Sequence, residues 1–189
     1  PGGSAQSASR GAPNCDGMID PSAPLAEEIA SIKSPPKCTR GQDRSGNPGS
    51  FYKAGGKVNP YVSALGAGSG GFAIRLMVGV IRMDTSAGKF IPLDVKNVTE
   101  EQMAEFNPKF YDETVPVTFA DLTTNANLFS MREPETDISY SCLMATGRNK
   151  TGVAVASFIC RGFKKNASDA DILAMARDQI TKDFTAIRP

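Results

Sequence analysis

The chain has 189 residues and a mass of 20.0 kDa, the size of one domain. Its 21 basic and 20 acidic side chains leave a formal charge of +1, so no positive excess announces nucleic acid or an anionic membrane as a partner. It contains no histidine, which excludes Ser-His-Asp and Cys-His triads, His-ligated zinc or iron and a histidine general base, and it contains no tryptophan.

Residues 1–13 are Gly, Ser, Ala and Pro with one Arg and no large apolar side chain, and read as a flexible arm. A single α/β domain is expected over 14–189. From Pro24 to Ser34, Leu25, Ile29 and Ile32 share one helical face, with acids in the first turn and Pro35-Pro36 as the stop. Residues 38–71 are crowded with Gly, Asn and Pro, and predict a long irregular loop that carries a binding surface. Gly66 to Gly71 look like a phosphate cradle, yet a strand follows them where a cradle needs a helix, so they read as a flexible entry loop.

The segment from Phe72 to Met83 is apolar on both alternating faces and rich in β-branched residues, which predicts an interior strand covered by helices on both sides. Thr99 and Gln102 have capping-box spacing, and Met103, Phe106 and Phe110 fall on one face of the helix that would follow, shortened or kinked at Pro108. Short strands are expected at Val115 to Phe119 and Ala126 to Met131.

Thr136 to Thr146 and Val153 to Phe163 alternate between apolar and polar positions, and Gly152 stands where a three-residue hairpin loop needs positive φ. With Lys150, Thr151 and Gly152 as the loop, Asn149 faces Val153 and Cys142 faces Cys160. A disulfide across that hairpin leaves Cys15 to pair with Cys38 by elimination. Ser168 then caps a helix whose Ile172, Ala176, Ile180 and Phe184 form a stripe.

Four cysteines without a C-x-x-C, together with acceptor patterns for N-glycosylation at Asn97, Asn149 and Asn166, favour an oxidising compartment. The acids Glu100, Glu101, Glu105, Asp112 and Glu113 read as a solvated face rather than a carboxylate pair for glycoside cleavage. Arg148, Lys150, Arg161, Lys164 and Lys165 lie on or beside the hairpin, where they suit either contact with a sulfated glycan or an acidic surface, or protection of an edge strand. No catalytic, cofactor or metal site is expected.

Three segments in order, EEQMAEFNPKFYDE from Glu100, VPVTFADL from Val115 and PETDISYSCLM from Pro134, resemble the surface antigens of Eimeria parasites. Cys160 and the helix from Ala170 to Phe184 match that family's second Cys strand and final helix. The resemblance spans about residues 99–185 and implies a three-layer α/β/α sandwich, with a mostly antiparallel sheet, related to the cysteine-rich secretory (CAP) fold. It further implies a protein held at the parasite surface by a lipid anchor whose signal is removed, attaching to a protein or glycan of the host cell. This chain departs from the pattern in having four cysteines where many members have six, and only a short helix between the first two. The alternative is a secreted or periplasmic binding or scaffold protein of another family.

Overall fold

The computed structural model describes residues 12–42, 47–59, 62, 74–84, 104–119, 122–164 and 169–188. Among them, seven strands form one sheet: β1 (Lys37–Gln42), β2 (Pro48–Lys57), β3 (Arg75–Met83), β4 (Lys109–Phe119), β5 (Leu122–Arg132), β6 (Ile138–Arg148) and β7 (Ala154–Lys164). Their order is β1-β2-β3-β7-β6-β5-β4 and every neighbouring pair is antiparallel. A three-strand meander and a four-strand meander thus meet where β3 pairs with β7.

The register separates the side chains into two faces. Leu76, Val78 and Val80 of β3 stand opposite Arg161, Ile159 and Ser157 of β7, and Ile159 in turn faces Leu143 of β6. On this first face lie two helices, α1 (Pro24–Ala30) and α2 (Asp169–Asp183). Leu25 and Ile29 of α1, and Ala176 and Ile180 of α2, join the strand residues in one buried core that continues into Phe184 and Ile187. Each buried Leu, Ile or Val contributes about 1.5–3 kcal/mol relative to exposure, so this face holds most of the hydrophobic stabilisation.

The expected helix layers on both sides of the sheet are not what forms. Both described helices sit on the first face, and the molecule is an antiparallel sheet with one helical layer rather than a three-layer α/β/α sandwich. The second face closes in another way: Phe129, Met131, Ile138, Tyr140, Cys142 and Cys160 form a smaller cluster flanked by Phe106, Phe110, Met77 and Phe158. Large side chains there lie over glycines on the next strand. A Cβ at Gly79 would fall 2.1 Å from Phe158, and one at Gly162 would fall 2.7 Å from Tyr140. Met77 and Ile81, whose apolar character suggested a second helix layer, are half-buried at this face.

Two local expectations also change. The described part of 38–71 is mostly strand, with β1 and β2 paired antiparallel, rather than an irregular loop. Its glycines permit close packing, as at Gly56, whose φ is +150° and which lies 2.8 Å, measured from an ideal Cβ, from Ile32 beyond α1. Among the described residues around Pro108, Ala104–Phe106 is helical, as a single 3-10 turn. Asn107 then takes φ 46°, and Phe110 belongs to β4, stacked on Phe129 at 4.9 Å, instead of sharing a helix face with Phe106. Thr99, Gln102 and Met103 lie outside the described residues.

The joint between sheet and helices is ionic. Arg161 is fully buried and donates from Nη1 and Nη2 to the Glu28 carboxylate of α1 at 2.7 and 2.8 Å. From Nε and Nη2 it donates to the Asp183 carboxylate of α2 at 2.9 and 3.0 Å. Gln179 adds a bond to Asp183 at 3.0 Å. Burial pushes the Asp183 carboxyl above its ordinary value, with the Arg161 charge and hydrogen bonds opposing the rise. Burial works to lower the guanidinium pKa, but bonds to Glu28 and the field of Asp183 hold it above the ordinary arginine value. Truncating Arg161 to Met leaves two carboxylates buried without a counter-charge, which costs about 3–5 kcal/mol. Chemical denaturation should therefore show a large loss for Arg161→Met, and recovery of most of it when Glu28→Leu and Asp183→Leu are added. If the triple variant is no more stable than the single one, unpaired charge is not the source of the loss.

Candidate functional site

The β6–β7 hairpin forms as its alternation requires, with Arg148 opposite Ala154 and Cys142 opposite Cys160. At its tip the Asn149 side-chain oxygen accepts from the Thr151 amide at 3.0 Å, the Thr151 hydroxyl at 2.7 Å and the Val153 amide at 2.9 Å. Gly152 has φ 82°, the left-handed conformation that closes the loop. Arg148 donates to the Gly152 carbonyl at 2.7 Å, so its guanidinium braces the turn.

Both expected disulfides are present, Cys15–Cys38 and Cys142–Cys160. The second bridges directly opposed residues whose Cα atoms are 4.2 Å apart, the close approach of a non-hydrogen-bonded antiparallel pair. Both of its cysteines are wholly buried, whereas Cys38 is exposed on β1.

The basic residues expected to act together around the hairpin do not form a common surface. Arg161 points into the first-face core, because on β7 its parity matches Ile159 and Phe163, and both acids that neutralise it come from distant sequence. Lys150 is exposed at the tip, while Lys164 is exposed at the far end of eleven-residue β7. Of the three acceptor patterns, Asn149 is the hairpin-tip residue described above. Asn97, Asn166 and Lys165 lie outside the described residues, as do Gly66 to Gly71.

Another cationic group emerges on the second face of β1 and β2. Lys37 of β1 stands directly opposite Lys53 of β2, and Lys57 of β2 stands opposite Arg75 of β3. The alternation Phe51, Lys53, Gly55, Lys57 was present in the sequence, but the small residues between them hide it unless the stretch is read as a strand. Lys37, Lys53 and Lys57 are exposed. Arg75 meets Glu133 at 3.3 Å.

The described surface also has a depression of about 490 Å³ beside the β5–β6 turn, lined by acids including Glu105, Glu133, Glu135 and Asp137, with Arg132 among them. Glu135 has φ 62° there. No group of three or more His, Cys, Asp or Glu side chains suited to a metal occurs among the described residues. Of the acids considered for bond cleavage, Glu113 is held by Arg177 at 2.6 Å, and Asp112 and Glu105 are exposed. At the edge of this depression the Tyr140 hydroxyl donates to Glu133 at 3.1 Å. Burial, then the negative charge of Glu133 and the hydrogen bond to it, push the Tyr140 phenol above its ordinary pKa, with Arg75 opposing.

No family model, no curated protein and no solved structure matches the chain.

Two measurements follow from this geometry. Mild thiol reductant should open Cys15–Cys38 in the folded protein while Cys142–Cys160 persists until unfolding, as alkylation and peptide mass mapping would register. Loss of either bridge removes about 3 kcal/mol in the chain-entropy account of loops of this size. For Tyr140, the unfolded chain loses its phenolic proton near 10.0 while the folded chain retains it. Stability from the neutral phenol is therefore complete below that value and lost as pH rises above it. Above pH 10.0, wild-type stability should fall more steeply than that of Tyr140→Phe.

Proposed function

We propose that this chain is a non-catalytic domain displayed on the outside of a cell, a surface antigen that acts by attachment to a protein or glycan of a host cell. The observation that carries this reading is the pair of disulfides, one inside the sheet and one tying the segment before α1 to edge strand β1. Such bridges persist in oxidising compartments and stiffen a domain against extracellular conditions. The histidine-free composition agrees with a role in contact rather than reaction. The Eimeria-like segments lend the family reading, including lipid anchorage, while the CAP-type three-layer fold that came with it is set aside in favour of the one-layered sheet.

Purified, oxidised protein applied to host cells should bind saturably, and unlabelled protein should compete. Absence of saturable binding, or turnover of a substrate abolished by changing a single carboxylate, would overturn the display reading.

A further inference from the structure

We propose that the second face of β1 and β2 binds a sulfated polysaccharide through Lys37, Lys53 and Lys57. The inference rests on the display reading and names the chemistry of its partner. Like charges placed directly opposite on adjacent strands destabilise a sheet, yet Lys37 and Lys53 are Cα partners with no acid between them. None of the three lysines has an ion-pair partner among the described residues. On the other face, Arg40 of β1 is paired with Asp84, and Arg82 of the neighbouring β3 is engaged by the Asn14 carbonyl. Three exposed lysines thus share the second face of β1 and β2.

Its layout suits an extended polyanion. Lys53 and Lys57 are four residues apart on β2, about 13 Å at the strand rise of about 3.3 Å per residue. Between them Gly55 carries no side chain, and the adjacent floor is Met77. This leaves a shallow trough with Lys37 and Lys53 at one end and Lys57 and Arg75 at the other. A single phosphate reaches one end, whereas a chain bearing repeated sulfates engages both. Bilayer insertion has no apolar anchor here, since the exposed large hydrophobic among the described residues, Tyr111, lies on β4 at the opposite edge of the sheet. The aromatic ring on this face, Phe51, is half-buried and so offers no open stacking platform for single-stranded nucleic acid. Outside the cell, sulfated glycans are the abundant polyanions that remain.

Heparin is the probe. Immobilised heparin should retain the oxidised wild-type protein at low salt and release it as salt rises, because screening shortens to about 8 Å near physiological ionic strength. The triple variant Lys37→Glu, Lys53→Glu, Lys57→Glu should lose retention, and the corresponding Gln variant should elute at lower salt than wild type. A charge-matched control, Lys33→Glu, Lys109→Glu, Lys182→Glu, changes exposed lysines elsewhere and should elute with wild type. Circular dichroism establishes that each variant is folded. The proposal is overturned if wild type is not retained, if both Glu triples lose retention equally, or if phosphatidylserine vesicles or single-stranded DNA bind more tightly than heparin. Cell binding that survives enzymatic removal of sulfated glycans would overturn this site assignment and leave the display reading standing.

Discussion

The structure turns on one buried guanidinium. Arg161 projects from β7 near the middle of the sheet and is held by carboxylates separated from it by 133 and 22 residues in sequence. Four charge-assisted hydrogen bonds fix the orientations of α1 and α2 over the same strand. Apolar packing alone would tolerate sliding of either helix along the core, because dispersion contacts are weakly directional. A guanidinium fork shared by two bidentate carboxylates does not. The upward displacement of the Asp183 pKa comes chiefly from burial, with the Glu28 charge adding to it and Arg161 and Gln179 opposing.

Because both helices are committed to the Arg161 side, the opposite face must be closed by the strands themselves. It does so with short-range devices: Phe158 over Gly79, Tyr140 over Gly162, Phe110 stacked on Phe129, and a disulfide between opposed residues. These devices cover the β4–β7 half. Over β1 and β2 they give way to lysine, threonine and glycine beside a half-buried Phe51, which leaves a largely polar surface. The two sheet edges are protected differently. On β4, Pro116 cannot donate to a further strand, and the register breaks between Phe110 and Thr114. On β1, six residues, a disulfide and Lys37 limit pairing with another chain.

Local pattern made the β6–β7 hairpin legible. Alternation, a glycine suited to positive φ and an even cysteine count all agree there, and the register they dictate placed Cys142 against Cys160. The stripe Ala176 and Ile180 likewise identified the buried side of α2, and Phe184 that of the 3-10 turn after it, without knowledge of the partner strands. Where local signals were mixed, the reading went astray. Phe106 and Phe110 satisfy a helical spacing, but Pro108 and the turn at Asn107 divide them between a 3-10 turn and a strand. The glycines at 49, 55 and 56 resemble loop punctuation, although in β2 they accept the neighbouring strand β3 and Ile32.

The sequence by itself determined the hairpin, its cross-strand disulfide and the buried stripe of the last helix, since each depends on residues within about twenty positions or on a strict period. Tertiary structure alone decided which face received the helices, that Arg161 would be an internal clamp rather than a surface cation, and that Lys37 would meet Lys53. The physical reason is the same for all three. Whether a charge is buried and paired or exposed and available depends on the elements brought opposite it, and sheet order β1-β2-β3-β7 joins segments that no local period connects.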